Sequence, residues 1–415
     1  MPYCIAGIDV HKKVLVVVVA KVTEQAEWSY ERGKFGATAY ELQRLADWFQ
    51  RQGVQEVVME STAQYWRPVW GALEQYWTPV MQQREGAGPM AGKLHLAQAQ
   101  SNRGPRGRKN DYRDAERLVH RLVAQELVLS FVPDPEQRLW RTLTHRKQQF
   151  AEDRTRCQNR LEALLEQRHL KLSSFVSDLL GVSGRRMLEA VAEGATDPVA
   201  VAALADAKLR ATPEQLRDAL AACAHLSPVY RRLLKMGLKH LQFLEQQRHE
   251  LEQEIAQLLR PYAGAVERLA EVPGLGVESA QQIIAEIGPK AEVFPSQKAL
   301  SSWVGVCPGE EVTAGETRSS RSPKGNRALR RLLNEAAHAA VKMKGSIFEV
   351  VFKRLQPRLK YKEAIWAMAH RLCRLIWKIL HQGVRYEASA SGGPGLNTLR
   401  LLVTECYCAT ERGRS

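Results

Sequence analysis

Short apolar runs and one amphipathic segment alternate through the first part of the chain. Tyr3–Ile8 and Val14–Val22 are apolar and strand-like, and Trp28–Lys34 is a third candidate strand. Apolar residues recur at helical spacing through Tyr40–Gln52, and Val54–Glu60 follows as a short buried strand. This order of strands and helices predicts an α/β domain in which a mixed sheet is covered by helices.

The rest of the chain has helical periodicity. The second of two long polar helices carries apolar residues at the three-four spacing of a coiled coil or a helical hairpin: Leu241, Leu244, Leu251, Ile255 and Leu258. Shorter helices follow, and the sequence after Gly383 is rich in Ala, Ser, Gly and Pro. We therefore predict an α/β domain over residues 1–132, a helical coiled-coil region over 133–260, an all-α domain over 261–387 and a flexible tail over 388–415.

The net charge and its distribution along the chain predict the class of binding partner. The 415 residues include 60 Lys and Arg against 45 Asp and Glu, which gives a net charge of +15 and a pI of about 9.6. Between Thr313 and Lys362 there are 13 basic residues and three acidic ones, a local charge of +10. A solvated helix face normally mixes both signs, so this one-sided clustering favours contacts with nucleic-acid phosphates.

Other classes are disfavoured by composition. The longest apolar run near the start, Val14–Ala20, is far shorter than the roughly 20 residues that a spanning helix needs. No secretory signal is recognisable, because Asp9 interrupts the first apolar run. The seven cysteines are scattered and odd in number, which argues against a disulfide framework. We expect a cytoplasmic protein with no membrane partner.

Four carboxylates stand out by their context. Asp9 closes the first strand, Glu60 closes the buried strand, and Asp111 and Asp114 are three residues apart, so they share one face of a helix. Oxygen ligands of this kind suit Mg²⁺, and two such ions clamp both oxygens of a phosphoryl displacement. Taken singly, each carboxylate is equally compatible with a turn, a cap or a salt bridge; the set of four is more specific.

The residues around these carboxylates resemble one transposase family. Gly7–Lys13, Met59–Thr62 with Tyr65–Trp66, and Asp111–Ala115 are similar to the Asp-Glu-Asp-Asp tetrad of the insertion-sequence one-ten family, which includes bridge-RNA-guided recombinases and pilin-gene invertases. The resemblance extends from residue 5 to about residue 387. It implies a RuvC-like, ribonuclease H-like N-terminal domain with Mg²⁺ at the tetrad.

The resemblance also implies a function and partners. It implies cleavage and exchange of DNA strands of a mobile element, guided by a structured noncoding RNA. It implies a homo-oligomer, dimeric or tetrameric, in which residues 135–260 supply a dimerisation arm and two subunits share each active site.

Glycines in the third region suggest a helix-hairpin-helix. Pro273, Gly274 and Gly276 form a turn in which backbone N–H groups can approach a phosphate beside a helix N-terminus. An ordinary interhelical turn is the alternative for such a short motif. The residues predicted to contact nucleic acid are therefore these three and a set from the basic stretch: Arg318, Arg321, Lys324, Asn326, Arg327, Arg330 and Arg331.

A hydroxyl nucleophile is expected within the basic stretch. Gly305–Gly309, Ala314–Gly315 and Lys324–Asn326 are similar to the family's C-terminal domain, where a serine precedes an Ala-Gly or Gly pair. Here Thr313 occupies the serine position, and its extra methyl group crowds an in-line attack. Three readings follow: Thr313 is the nucleophile, a nearby serine serves instead (Ser319, Ser320 or Ser322), or the copy is decayed.

The hypothesis is thus a transposase or site-specific recombinase, and two other classes remain open. A catalytically impaired or domesticated homologue would bind nucleic acid without cleaving it. An actin-like or sugar-kinase-type ATPase would need a second Asp-Gly-rich phosphate hairpin and an adenosine motif, and the sequence shows neither.

Overall fold

The structure of the protein is a computed structural model. The residues it describes are 3–23, 25, 27–61, 63–85, 88–99, 101–102, 110–307, 311–313, 316–319 and 322–386, with backbone alone for 311–313 and 316–319. The chain divides into two compact units, Met1–Pro133 and Asp134–Ser415. The predicted tail over residues 388–415 lies outside the described residues.

A mixed sheet forms the centre of the first unit, as predicted. Within the described residues it has the strand order β3-β2-β1-β4-β5-β6, where β1 is antiparallel to β2 and parallel to β4. The strands are β1 (Tyr3–Val10), β2 (Val14–Val22), β3 (Trp28–Gly36), β4 (Glu56–Glu60), β5 (Lys93–Ala97) and β6 (Leu129–Ser130). The helices are α1 (Ala39–Gln52), α2 (Trp66–Tyr76), α3 (Thr78–Gln82) and α4 (Asp111–Val123).

Helices cover the sheet because its strands are apolar on both sides. Leu15–Ala20 of β2 are all buried, which requires cover on both faces. Leu42, Leu45 and Phe49 of α1 recur at helical spacing and pack in the core cluster that covers one face. Val119 of α4 packs in a separate cluster with Ile5 and Ala20.

Helices dominate the second unit. They are α5 (Pro135–Glu166), α6 (Val182–Glu193), α7 (Pro198–Ala202), α8 (Pro213–Leu220), α9 (Pro228–Leu258), α10 (Ala263–Ala270), α11 (Val277–Ile287), α12 (Gln297–Val304), α13 (Arg327–Ala340), α14 (Ile347–Leu355) and α15 (Tyr361–Gln382). None of the helices in the described part of the chain combines the length and the apolar character needed to cross a membrane.

The long helices α5 and α9 pack against each other within the unit. A Cβ on Gly237 of α9 would lie 2.4 Å from the side chain of Leu161 of α5, so glycine permits the close approach. Leu241 and Leu244 are buried in the same core cluster. Packing of α9 against α5 within one chain, as in a helical hairpin, accounts for the burial of Leu241 and Leu244.

The prediction of an all-α C-terminal region needs one correction. Glu311–Thr313 (β7) and Glu316–Ser319 (β8) form a short antiparallel ladder. The β-branched residues Val312, Thr313 and Thr317 favour extended backbone. Strands of three and four residues are too short for periodicity in the sequence to reveal them.

Candidate metal centre and nucleophile segment

Two neighbouring strands bring Asp9 and Glu60 to one edge of the sheet. The register of β1 with β4 pairs Ile8 with Met59, so Asp9 and Glu60 are the next residues on each strand. Ile8 and Met59 belong to one core cluster. Because side chains alternate along a strand, Asp9 and Glu60 point to the opposite face of the sheet.

The start of α4 reaches the same place because Gly7 has no side chain. A Cβ on Gly7 would lie 2.3 Å from the carbonyl oxygen of Ala115 in α4, a distance that no Cβ tolerates. Asp111 precedes Ala115 by four residues, about one helical turn. The close packing at Gly7 therefore positions Asp111 beside Asp9.

Asp9, Asp111 and a histidine form a candidate metal-binding site, called the metal cluster below. Nε2 of His11 lies 3.2 Å from Oδ2 of Asp9 and 3.7 Å from Oδ1 of Asp111. In the described part of the chain, these three residues offer ligand atoms that all lie within 4.8 Å of one another. The Asp9 side chain is 12% exposed and that of Asp111 46%, so the cluster is closed towards the sheet and open towards solvent.

Glu60 and Asp114 lie outside the metal cluster. Nδ2 of the buried Asn102 donates a hydrogen bond to Oε2 of Glu60 (2.9 Å), and Arg117 forms an ion pair with Asp114 (2.7 Å). The structure thus brings two of the four predicted carboxylates together directly. The other two are engaged by an amide and a guanidinium group.

The first turn of α4 suits its two aspartates. The side chain of Asn110 accepts hydrogen bonds from the backbone N–H groups of Tyr112 and Arg113, so the helix begins at Asp111. Asp111 and Asp114 both lie in this first turn, where the helix dipole stabilises negative charge.

The donor set of the metal cluster fits a divalent cation. Carboxylate oxygens are preferred ligands of Mg²⁺ and Mn²⁺. In addition, Nε2 of His11 is a buried atom that makes no hydrogen bond with any residue that the structure describes. A cation between these donors would satisfy that nitrogen and offset the two negative charges. His11 belongs to the sequence motif Gly7–Lys13, but the sequence prediction gives it no role; its residue type and its place two residues after Asp9 are the signal that points to it.

Two glycines allow the two ends of the predicted nucleophile segment to approach each other closely. Gly305 (φ 77°) ends α12, and Gly325 shortly precedes α13. A Cβ on Gly325 would lie 2.2 Å from the carbonyl oxygen of Val304, and one on Gly305 would lie 2.7 Å from that of Pro323. The backbones at Gly305 and at Pro323–Gly325, here called the loop stems, are therefore in direct contact.

Arg330 fastens both loop stems. Its guanidinium group donates hydrogen bonds to the carbonyl oxygens of Gly305 and Pro323 (2.6 Å for Pro323) and to Oγ of Ser322 (3.0 Å). It also lies 4.7 Å from the centre of the Trp366 ring, a cation–π distance. Arg330 thus joins the two stems to α15.

The residues between the stems are described in part. Thr313 is the last residue of β7, and its backbone pairs with that of Glu316. Arg318 and Ser319 belong to β8, whereas Ser320 and Arg321 lie outside the described residues. Assignment of the nucleophile therefore stays a prediction.

The other predicted nucleic-acid contacts differ in their surroundings. Lys324 and Arg327 are exposed. The Asn326 side chain accepts a hydrogen bond from the backbone N–H of Leu329 and thereby caps α13. Arg331 forms an ion pair with Glu152 (3.0 Å). Exposure makes Lys324 and Arg327 more accessible to a phosphate than Asn326 and Arg331.

The predicted helix-hairpin-helix turn lies between α10 and α11. Gly274 adopts a positive φ (84°), and a Cβ there would lie 2.2 Å from the carbonyl oxygen of Ala336, so this glycine serves packing against α13. Gly276 is exposed at the N-terminus of α11, and Pro273 is buried. Only Gly276 of the three presents backbone to solvent at a helix N-terminus.

A buried carboxylate in the second unit was missed by sequence reasoning. Glu286 is 1% exposed; Nε2 of His145 lies 2.5 Å from its Oε1, and Nδ2 of Asn326 donates to its Oε2 (2.8 Å). Burial by itself would raise the pKa of Glu286, but the hydrogen bond from His145 and the charge of Arg141 outweigh burial and lower that pKa. The available signal in the sequence is an acid set among apolar residues, within Ile283–Ile287 of α11. Through Asn326, this carboxylate positions the start of α13.

Comparisons with known proteins point to one class. A family model described as "Transposase" matches residues 6–170, and a second, described as "Transposase IS116/IS110/IS902 family", matches residues 266–351. The chain is also 27% identical over 134 residues to "Putative transposase y4pF/y4sB" of Sinorhizobium fredii (strain NBRC 101917 / NGR234). That match covers 29% of this chain and 32% of the relative, so the chain spans about a third of the length of this curated relative.

Proposed function

Because the chain belongs to the IS116/IS110/IS902 family of transposases, we propose that it cleaves and exchanges the DNA strands of a mobile element. One observation carries the proposal beyond the family match. Asp9, His11 and Asp111 meet at the edge of the sheet with donor atoms spaced for a divalent cation. A site of this kind acts on phosphodiesters, which is the chemistry that strand exchange requires.

The carboxylates would hold Mg²⁺ in a RuvC-like, ribonuclease H-like domain. Asp9 and Asp111 would supply the central ligands. The carboxylates of Glu60 and Asp114 would join them if they exchange their contacts with Asn102 and Arg117 for the cation. When bound, the cation would stabilise negative charge that develops on the phosphate oxygens. The chain's own contribution is a preorganised set of donors, fixed by the close packing of α4 over Gly7.

The nucleophile would come from the segment between the loop stems. The Thr313 hydroxyl attacks phosphorus, one P–O bond to the threonine forms, and one P–O bond to the departing strand breaks. The hydroxyl proton is lost to solvent, and the departing strand end takes up a proton as a free hydroxyl group. A phospho-threonyl adduct results, which preserves the energy of the phosphodiester for rejoining.

Exposed basic residues would contribute to the binding of nucleic acid. Lys324 and Arg327 flank the second loop stem and the start of α13, within the stretch of charge +10. Base specificity would come from a structured guide RNA, and the working form would be a homo-oligomer, a dimer or a tetramer. The helical region over residues 133–260 would supply the contact between subunits, and residues 261–387 the nucleophile segment.

A reconstituted excision assay tests the proposal. Purified protein, Mg²⁺, the RNA encoded beside the gene and a DNA carrying the element's end are incubated, and covalent protein–DNA adducts are measured by denaturing gels. We expect wild-type protein to form adducts and Asp9→Asn and Thr313→Ala to form none while still binding DNA. Increased adduct formation by Thr313→Ser would confirm the position of the nucleophile.

Two results would contradict the proposal. Undiminished adduct formation by Asp9→Asn and Asp111→Asn would remove the metal role. Tight, salt-sensitive binding by the wild-type protein with no adduct on any matched DNA would instead identify a non-catalytic nucleic-acid-binding homologue.

A further inference from the structure

We propose that His11 is a direct ligand of the divalent cation, through Nε2, and that the site is therefore a mixed nitrogen and oxygen site. This inference deepens the proposed function, since it rests on the metal cluster. It adds a residue outside the predicted carboxylate tetrad and predicts a metal preference, with Mn²⁺ bound more strongly relative to Mg²⁺ than in an all-oxygen site.

The first argument is the spacing of the donor atoms. Adjacent ligands of an octahedral cation at about 2.1 Å lie about 3 Å from each other. Nε2 of His11 lies 3.2 Å from Oδ2 of Asp9 and 3.7 Å from Oδ1 of Asp111. A single cation can therefore contact all three atoms with only small side-chain movements.

The second argument is that Nε2 of His11 is buried and makes no hydrogen bond within the described part of the chain. A buried polar atom without a hydrogen bond destabilises the folded protein. Coordination of a cation would satisfy this atom, whereas its 3.2 Å separation from Asp9 lacks the alignment of a hydrogen bond.

The third argument is the position of His11 in the backbone. Its N–H donates to the carbonyl oxygen of Val14 (3.1 Å), which closes the turn between β1 and β2. The turn fixes the residue at the edge of the sheet, two residues after Asp9. The neighbouring Lys12 and Lys13 are exposed at the tip of the turn. His11 is thus the residue of this turn whose ligand atom meets both carboxylates.

A nitrogen ligand changes which cation is favoured. Mg²⁺ prefers oxygen donors and gives up its waters reluctantly. An imidazole ligand increases the affinity of a site for transition-metal ions, and this affinity rises along the first-row series from Mn²⁺ towards Cu²⁺. A site with one imidazole should therefore discriminate in favour of Mn²⁺ more strongly than one built from carboxylates alone.

Mn²⁺ binding to the full chain, without nucleic acid, tests the inference. Electron paramagnetic resonance of free Mn²⁺ gives the Kd, competition with Mg²⁺ gives the preference, and spin-echo modulation detects nitrogen bonded to Mn²⁺. We expect nitrogen modulation in the wild-type protein. In His11→Ala the modulation should be lost, and Mn²⁺ affinity should fall at least about tenfold.

His11→Asp separates coordination from folding. This variant restores a ligand atom, so metal binding should return, but the ratio of Mn²⁺ to Mg²⁺ affinity should fall because the atom is oxygen. His249→Ala, which removes an exposed histidine from α9, is the matched control and should bind both cations as the wild type does. Circular dichroism verifies that each variant is folded.

The outcomes distinguish the two levels of the proposal. If Asp9→Asn abolishes Mn²⁺ binding while His11→Ala retains wild-type affinity and nitrogen modulation, the role of His11 is wrong and the metal cluster stands. An unchanged Mn²⁺ to Mg²⁺ ratio in His11→Asp would also overturn it. If neither Asp9→Asn nor Asp111→Asn alters Mn²⁺ binding, the metal site of the proposed function fails as well.

Discussion

At the scale of single residues, Gly7 decides whether the metal cluster can form. A methyl group there would lie 2.3 Å from the carbonyl oxygen of Ala115, so Gly7→Ala should push α4 away from β1. Overpacking of this kind costs about 1–3 kcal/mol, and amide exchange in peptides from α4 should accelerate by about tenfold or more. Hydrogen–deuterium exchange followed by mass spectrometry measures this directly.

Gly71 offers a matched control for Gly7. It lies within α2, and a Cβ built on it has no atom within 4 Å. Gly71→Ala should leave exchange in α4 unchanged and slow exchange in α2, because alanine favours the helix by roughly 0.5–1 kcal/mol. Equal exchange in α4 for Gly7→Ala and wild type would show that the close approach is not required.

A second residue-scale prediction concerns pH. Burial, together with Arg374 and Arg371, lowers the pKa of His370 to about 4, against 6.5 for an ordinary histidine. The unfolded chain therefore binds a proton on His370 at a higher pH than the native chain does. The contribution to stability is complete above pH 6.5 and is lost as the pH falls towards about 4.

Replacement by a neutral amide isolates this effect. His370→Gln should show a smaller loss of unfolding free energy between pH 6.5 and about 4 than the wild type, measured by urea titration at each pH. His225→Gln, at a histidine exposed in the turn before α9, should retain the wild-type slope. Parallel pH profiles for His370→Gln and wild type would contradict the prediction.

At the scale of elements, Arg330 fixes the two ends of the segment that carries Thr313. Arg330→Lys keeps the charge but replaces the planar fork, in which Nη1 donates to Gly305 and Pro323 and Nη2 donates to Ser322, by a single nitrogen. We expect Arg330→Lys to bind DNA with nearly wild-type affinity and to form adducts at least about tenfold more slowly. Quenched-flow adduct formation and fluorescence anisotropy measure the two quantities.

Arg327 serves as the comparison, because its replacement should weaken DNA binding and leave the rate of adduct formation unchanged. It is exposed at the start of α13, so Arg327→Ala should weaken DNA binding and reduce the slope of log Kd against log salt by about one phosphate contact. Adduct formation at saturating DNA should remain close to wild type. A fall in salt slope for Arg330→Lys equal to that for Arg327→Ala would assign Arg330 to the phosphate backbone instead.

The same elements show what sequence could and could not predict. Local patterns predict β1, β2 and α1, because their apolar residues repeat at strand or helix spacing. The meeting of His11 with Asp111 depends on the close approach at Gly7, between residues about a hundred positions apart in the chain. No local pattern reports such a contact.

Arg330 illustrates a second reason. In sequence it is one of many basic residues in a stretch of charge +10, and this clustering predicts a phosphate contact. In the structure its donors are directed at backbone oxygens of the loop stems. Charge predicts the class of partner for the stretch as a set, whereas only geometry assigns each basic residue its contact.

At the scale of the whole molecule, the carboxylates proposed to bind metal and Thr313 belong to different compact units. If each active site takes its cation from one subunit and its hydroxyl from another, defects on separate chains should complement each other. Heterodimers isolated with two affinity tags allow the test, because each subunit then carries a chosen substitution.

A heterodimer of Asp9→Asn with Thr313→Ala contains one intact shared site, since the cation comes from the second chain and the hydroxyl from the first. It should form about half the wild-type amount of adduct. The mirror arrangement pairs a wild-type chain with an Asp9→Asn, Thr313→Ala double variant. There each shared site has one defect, so no adduct should form. If each chain instead used its own residues, the two results would be reversed, and this reversal would exclude a site shared between subunits.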